Sequence, residues 1–207
     1  DVPATFHFST QYINRNNIAA KVDQAVDQDH EIGLQLDPSR NYDDMSNEEI
    51  KEEITTQLDV LSEATGTKIK YARAPVESGE TNQAVYNTLK NKGIVQSYYT
   101  VCPYHQADDV ESAENYIDSI FKQSNPKYDS FIFQLQDERE KDFPIMEHNI
   151  IKKGKKEGYE FVTLQKCLDG YKPGTHVNSK RRSKSCAKNC NSLLLGFMDC
   201  VFLLLLI

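Results

Sequence analysis

With 207 residues, the chain is long enough to bury a substantial core, which excludes a mini-protein that depends on disulfides or metals for stability. Its content of 39% hydrophobic residues, 9 Gly and 7 Pro excludes disordered, collagen-like and membrane-bundle classes. The net charge of -7 argues against a nucleic-acid partner, because binding to phosphates needs a cationic surface. We therefore expect a globular protein.

Charge and hydropathy are unevenly distributed along the chain. From Lys180 onward there are five basic residues and one acidic residue, a net charge of +4, which leaves -11 for residues 1–179. The residues after Ser192 are mostly apolar. We therefore predict three parts: a domain over residues 1–170, a basic linker over 171–192 and a hydrophobic tail over 193–207.

The first half of the chain alternates between strand and helix patterns. Residues 4–9 and 30–36 alternate in polarity and are predicted as strands, and residues 17–29 have apolar residues at helical spacing. Ser46 and Glu49 form a capping box, in which the Ser hydroxyl and the Glu side chain satisfy each other's backbone amides. We expect the helix that begins there to end at Gly66.

The second half repeats this order. The predicted strands cover residues 68–73, 94–101, 130–135 and 159–164, and the predicted helices cover residues 82–92, 110–121 and 145–155. Strands that alternate with helices of this length indicate βαβ units around a parallel sheet or barrel. Functional residues of such folds lie on the loops that follow the strands.

Six short segments, taken in order, resemble one family. They are A-T-F-H-F-S at residues 4–9, H-E-I-G at 30–33, S-N-E-E-I at 46–50, T-G with Y-A-R-A-P at 65–75, S-F-I-F-Q-L-Q-D at 130–137 and G-Y-E-F-V-T-L at 158–164. The chain resembles the polysaccharide deacetylases with a NodB-homology domain, which include chitin and peptidoglycan deacetylases. The resemblance covers residues 1–168.

The resemblance implies a distorted (β/α) barrel that removes acetyl groups with a divalent metal such as zinc. Family members hold the metal with one Asp and two His, and use a second Asp as the general base and a further His at the leaving group. A metal-bound water is a usable nucleophile near neutral pH because the cation lowers its pKa.

Several of these positions are changed in this chain. In the register of H-E-I-G, Gln35 and Ser39 stand where the family has its metal histidines, and neither is a zinc ligand of the usual type. The two carboxylates come from a family strand that precedes residues 4–9, so we expect a barrel without its first strand. We predict that the metal, and with it the cofactor of the family, is lost.

The catalytic positions that follow are only partly retained. Gln136 stands where the family has its last His, and an amide does not carry a proton near neutral pH. Cys102 lies close to the family position of an Asp that orients the catalytic Arg. Arg73 and Asp137 are retained, and they are the candidate catalytic residues of this chain.

The five histidines are the other candidates for chemistry: His7, His30, His105, His148 and His176. We interpret His7 as a buried or surface strand residue, His30 as structural, and His148 and His176 as solvated. His105 could act with Cys102 on one ion, although a surface loop is the favoured interpretation. The carboxylate pairs at residues 43–44 and 108–109 are typical of helix N-termini.

The cysteines and the tail bear on location. The five cysteines do not complete a zinc motif, and whether Cys102 and Cys167 pair stays open. The tail is too short for a comfortable transmembrane helix but fits a GPI signal or a tail anchor, with a poorly packed extension as the alternative. We expect a protein of the cell surface or wall, extracellular, with membrane attachment through the tail.

Three hypotheses follow. The leading one is a catalytically inactive deacetylase-like protein of carbohydrate metabolism or the cell wall that binds chitin or another N-acetylated glycan. The second is an active metal-dependent deacetylase, incomplete at its N-terminus or using a rearranged site with Asp37, His105 or Asp137. The third is a decayed fragment with an unpaired sheet edge beside residues 4–9.

Overall fold

Strands and helices alternate from the start of the chain in the computed structural model, which describes residues 2–13, 16–103, 109–136, 145–168 and 200–206. The first half contains β1 (Thr5–Ser9), α1 (Asn16–Asp27), β2 (Glu31–Gln35), α2 (Asn47–Thr65), β3 (Tyr71–Arg73) and α3 (Gln83–Asn91). Short 3-10 turns cover Thr10–Tyr12 and Tyr42–Asp44.

The second half continues with β4 (Val95–Gln96), α4 (Val110–Gln123) and β5 (Phe131–Gln136). A π-helical segment, Ile145–Lys152, leads into α5 (Lys153–Glu157), and β6 (Phe161–Val162), α6 (Leu164–Cys167) and β7 (Cys200–Leu206) follow. All predicted elements of the domain are therefore present, with changes in their bounds.

Helix α2 shows how local sequence sets the element bounds. Ser46 Oγ accepts from the amide of Glu49, and a Glu49 carboxylate oxygen accepts from the amide of Ser46 at 2.8 Å, which is the predicted capping box. The Ser46 hydroxyl also donates to Glu49 Oε2, at 2.7 Å, and the hydrogen bonds from this hydroxyl and from the Ser46 amide lower the pKa of Glu49. At the other end Gly66 has a φ of 63°, a left-handed conformation that glycine adopts without steric cost.

The sheet places the first four strands in parallel. β1 pairs with β2, β2 with β3 and β3 with β4, so that Ser9 lies opposite Gln35 and Gln35 opposite Arg73. After β4 the chain pairs with β5 at Val101, which forms a parallel bridge to Phe133. The sheet thereby closes into the distorted (β/α) barrel that the sequence predicts.

The strand beside β1 on its other side is β7. It pairs antiparallel with β1 and β5, and its last two residues also pair with β6. The sequence predicts residues 193–207 as a hydrophobic tail, and the hypothesis of a decayed fragment expects an unpaired edge beside residues 4–9. In the structure seven uncharged residues of the tail, Cys200–Leu206, extend along that edge.

Three clusters of apolar side chains surround the sheet. Two lie outside the barrel: one packs α1, α2 and α3 on the strands around Leu34, and the other packs α4 and the π-helical segment on Phe133 and Leu135. A third, smaller cluster of Tyr71, Val162 and Leu164 fills the barrel's inside.

Three predicted strands are shorter than expected. The strand predicted over residues 68–73 is regular only at Tyr71–Arg73. The β pattern over residues 94–101 gives a regular strand only at Val95–Gln96. The predicted strand over residues 159–164 ends at Val162, because the Thr163 side chain accepts from the amide of Lys166 and starts α6. Side-chain caps of this kind compete with strand pairing for the backbone groups.

Within the described residues, none of the helices has both the length and the apolar character needed to cross a membrane.

Candidate functional site

The inner face of the barrel is polar toward the carboxyl ends of the parallel strands. Side chains alternate along each strand, so Thr5, His7 and Ser9 of β1 face inward while Phe8 joins an outer cluster. By the same alternation Gln35 and Arg73 face inward at the ends of β2 and β3. We call this end, with Gln35, Arg73 and Tyr99, the barrel mouth.

Gln35 occupies the first predicted metal position and is turned toward its own backbone. Gln35 is only 4% exposed, and its Nε2 donates to the carbonyl oxygen of Leu36 at 3.1 Å. Its Oε1 is buried without a hydrogen-bond partner among the described residues. The amide is therefore enclosed in the wall of the barrel.

Ser39, at the second predicted metal position, lies on an exposed loop and forms hydrogen bonds with a neighbouring carboxylate. Its amide and its hydroxyl both donate to Asp37 Oδ1, at 2.8 and 2.7 Å. Arg40 Nε lies 3.8 Å from the other carboxylate oxygen of Asp37. Asp37 is thus engaged on both oxygens by the loop that contains it.

These residues do not fit a catalytic zinc site. Zinc takes imidazole, thiolate or carboxylate ligands, and a catalytic site presents three of them with one open position. In the part of the chain that the structure describes, no group of three His, Cys, Asp or Glu side chains could hold a metal ion. The carbonyl oxygen of an amide at Gln35 and a hydroxyl at Ser39 do not replace the missing imidazoles.

Arg73, the retained candidate, is buried at the end of β3. It is 3% exposed, and its guanidinium carbon lies 4.7 Å from the ring centroid of Tyr99. A cation over an aromatic face at this distance is stabilised by the ring quadrupole. The Arg73–Tyr99 stack therefore forms one wall of the barrel mouth.

His7 lies deeper inside the barrel than Arg73. Its ring is fully buried, its Nε2 lies 2.9 Å from Ser97 Oγ, and its Nδ1 has no partner among the described residues. Burial, with a smaller contribution from the Arg73 charge, lowers the pKa of His7 to about 3. The imidazole is therefore neutral at physiological pH and is not a general acid there.

The ring of His7 fits against β2 because the residue facing it, Gly33, has no side chain. An added Cβ at Gly33 would lie 2.7 Å from both Cδ2 and Nε2 of His7. No L side chain fits at such a distance unless the ring moves. Gly33, the last residue of the H-E-I-G segment, is thus required by the packing of His7.

The polar atoms of the barrel interior are incompletely satisfied. Besides Gln35 Oε1 and His7 Nδ1, the buried Oε1 of Gln134 on β5 has no partner among the described residues. Buried polar groups are nearly always paired, and each exception costs free energy. We call His7, Gln35, Ser97 and Gln134 the polar interior.

Two residues of the predicted site lie wholly or partly outside the described residues. Asp137 lies outside the described residues, and for Gln136 only the backbone, as the last residue of β5, is described. His105 and His176 also lie outside them. The roles of Arg73 and Asp137 as a catalytic pair thus stay predictions.

The other singled-out residues have structural surroundings. His30 Nδ1 accepts from the amide of Ala4 at 3.2 Å, Asp109 caps α4, and Asp43 accepts from Asn82 at 2.8 Å. His148 is exposed. These positions agree with the structural interpretations favoured by the sequence.

The two cysteines of the described domain are not joined. Cys102 is buried after β4 and Cys167 is half-buried at the end of α6, and no disulfide links them. Burial raises the pKa of the Cys167 thiol.

Two further residues of this region are not among the candidates predicted from the sequence. Gln57 on α2 is 4% exposed, and its Oε1 accepts from the amide of Asp37 at 3.0 Å, so it holds the loop that carries the predicted metal positions. Ser97 meets His7 across the barrel. No local signal points to either contact, since the partners are 20 and 90 residues apart.

Comparison with a family model gives one match. Residues 1–97 match the model described as polysaccharide deacetylase. This region contains β1 to β4 and every described residue of the polar interior except Gln134.

Several solved structures resemble the chain. A mutant of a CE4 family pseudoenzyme of Bacillus anthracis aligns with a TM-score of 0.66 at 18% identity, over 82% of this chain and 58% of that one. The chitin deacetylase of the fungal pathogen Colletotrichum lindemuthianum aligns with a TM-score of 0.66 at 19% identity, over 86% and 82%. At this identity the likeness shows the fold.

A family 4 acetyl xylan esterase from Clostridium thermocellum, in complex with a cobalt ion, aligns with a TM-score of 0.63 at 25% identity, over 81% of this chain and 77% of that one. The chain spans 58% of the length of the first structure. The barrel is thus shared with esterases, a chitin deacetylase and a pseudoenzyme.

Proposed function

Because residues 1–97 match the polysaccharide deacetylase model, we propose that the chain is a catalytically inactive member of this family that binds an N-acetylated glycan at the barrel mouth. The observation that carries the proposal is the position of Gln35. Its amide is buried against the carbonyl of Leu36 where the family needs a metal-binding imidazole. A pseudoenzyme among the structural neighbours gives the same fold a precedent without activity.

The alternative of a rearranged metal site has less support. Asp37, the carboxylate of this alternative that the structure describes, is engaged by Ser39 and Arg40. Recruiting it as a ligand would break three contacts within its loop. His105 and Asp137, the other residues of that alternative, lie outside the described residues.

The test of inactivity combines metal analysis with an assay. Purified chain is analysed for bound zinc and then incubated with acetylated chito-oligomers, with and without a chelator. We expect less than one zinc per ten chains and no chelator-sensitive release of acetate. The chitin deacetylase from Colletotrichum lindemuthianum, assayed in parallel, shows that the assay detects activity. Stoichiometric zinc together with chelator-sensitive deacetylation would overturn the proposal.

The proposed ligand contact is the Arg73–Tyr99 stack. The half-buried Tyr99 ring offers an apolar face to a sugar ring, and the buried Arg73 guanidinium stacks on this ring and positions it. Chitin and related N-acetylated glycans are the ligand class that the family suggests. We propose a cell-surface or wall location because these polymers are found there.

Glycan binding is tested by titrating chito-oligomers into the unaltered chain and into Tyr99→Ala. Loss of the ring is expected to weaken binding about threefold to tenfold, the range of a single aromatic contact. Tyr128→Ala is the matched control, since Tyr128 is 76% exposed on the loop before β5, away from the barrel mouth. Equal weakening by both substitutions, or no binding by the unaltered chain, would contradict the proposal.

A further inference from the structure

Both edges of β7 are paired within the sheet. Along one edge, Cys200 to Leu203 pair with β1, and along the other edge Val201 to Leu206 pair with β5. β6 pairs with Leu205 and Leu206, beyond the end of the β1 pairing. The end of the apolar tail therefore has the position of a central strand.

β7 also connects parts of the barrel that no other described strand joins. The other neighbour of β1 is β2, and β5 is otherwise linked to the sheet by the single bridge between Val101 and Phe133. Phe8 and Phe133, on the strands that flank β7, are both buried, in different outer clusters. Removal of β7 would leave the edges of β1 and β5 unpaired, and unpaired strand edges promote aggregation.

The sequence of β7 suits this position. Cys200–Leu206 reads C-V-F-L-L-L-L, with no charged residue, no Gly and no Pro. Short continuous apolar runs are typical of strands that are covered on both faces. A charged or proline-containing run would be expected at an exposed edge instead.

We propose that the end of the hydrophobic tail is a closing strand that the folded domain keeps in its own sheet, so that barrel closure and membrane attachment of the tail exclude each other. The same backbone groups cannot pair with β1 and β5 and also lie in a lipid bilayer. The tail reaches a membrane only after β7 leaves the sheet, and the edges of β1 and β5 are then exposed.

Hydrogen exchange of the full chain tests the closed state. Amides of residues 200–206 are expected to exchange at least about tenfold more slowly than those of an unstructured peptide. Leu203→Pro removes one amide from the strand, at a residue that lies opposite both Thr5 and Gln134. We expect this substitution to abolish the protection of β7 and to speed exchange in β1 and β5. Leu194→Pro, in the tail before β7, is the matched control and should leave all three strands protected.

Flotation with vesicles of phosphatidylcholine and phosphatidylserine tests the exclusion. The unaltered chain and Leu194→Pro should stay with the unbound protein, whereas Leu203→Pro should float at least about threefold more. If Leu203→Pro fails to fold, exchange and flotation of the unaltered chain still decide. Unprotected amides at residues 200–206, or flotation of the unaltered chain while β7 stays protected, would overturn the proposal.

Discussion

The two ends of the barrel interior differ in how well their polar groups are satisfied. At the amino ends of the strands, Thr5 Oγ1 donates to Glu31 Oε2 at 3.0 Å and accepts from the amide of Leu164 at 2.9 Å. The same carboxylate oxygen accepts from the amide of Gln165 at 2.9 Å. We call these four residues the barrel floor.

The polar interior, on the way to the barrel mouth, contrasts with this floor. There the buried Oε1 atoms of Gln35 and Gln134 and the Nδ1 of His7 have no partner among the described residues. A buried polar atom without a partner costs about 1–3 kcal/mol. The polar groups of the barrel floor are thus paired within the described residues, whereas three buried polar atoms of the polar interior are not.

The largest expected effect concerns His7 and acid. An unfolded His titrates near pH 6.5, whereas the folded imidazole stays neutral until its pKa of about 3. Its contribution to stability is therefore complete above pH 6.5 and decreases by about 1.4 kcal/mol for each pH unit below it. Urea unfolding at pH 6.5 and 4.5 should show about 3 kcal/mol less acid destabilisation in His7→Gln than in the unaltered chain. An unchanged acid response in His7→Gln would show that His7 is accessible to protons in the folded state.

The next effect tests the packing of His7 on β2. Gly33→Ala places a methyl group against the His7 ring and should lower the free energy of unfolding by about 2–3 kcal/mol. In a His7→Ala background the added methyl group has space, so the same change should cost at least about 1 kcal/mol less. Urea unfolding of the four chains measures this coupling, and additive effects would exclude the contact.

A third substitution tests the barrel floor. Thr5→Val keeps the volume of the side chain but leaves the buried amide of Leu164 without its acceptor. We expect a loss of about 1–2 kcal/mol in urea unfolding. Thr56→Val is the control, because Thr56 is exposed on α2, and it should cost less than about 0.5 kcal/mol. Equal costs would mean that the floor is not better satisfied than the surface.

The smallest effect distinguishes two buried glutamines. Gln35→Met removes an amide whose carbonyl oxygen has no partner within the described part of the chain, and it should change stability by less than about 1 kcal/mol. Gln57→Met removes an amide that bonds the backbone of Asp37 and the hydroxyl of Tyr42, and it should cost about 2 kcal/mol. Thermal unfolding compares the two, and the reverse order would contradict the contrast between satisfied and unsatisfied amides.

Elements with local signals could be predicted from the sequence. Helix α2 begins after the Ser46 cap and ends at Gly66 as expected, since both signals act within a few residues. The π-helical form of Ile145–Lys152 was not predicted, because a helical apolar pattern does not distinguish it from an α-helix. The short β4 was predicted too long for a similar reason, since a β pattern shows propensity but not which residues find a partner.

The candidate site was predictable in its residue types but not in its geometry. Gln35 and Ser39 could be recognised from their positions after H-E-I-G. The hydrogen bond of Gln57 to the Asp37 amide and the meeting of His7 with Ser97 depend on chain segments that are far apart in sequence. Contacts of this kind follow from the closing of the barrel and have no local sequence signal.

By itself the sequence determined the order of strands and helices, the caps of α2 and the absence of imidazoles at Gln35 and Ser39, because these depend on residue type and short-range spacing. Only the tertiary structure decided that the Gln35 amide faces Leu36 and that Cys200–Leu206 lie between β1 and β5. An apolar run can be removed from water either in a membrane or in the sheet of a folded domain. Which of the two it does depends on whether the folded barrel offers it two strand edges.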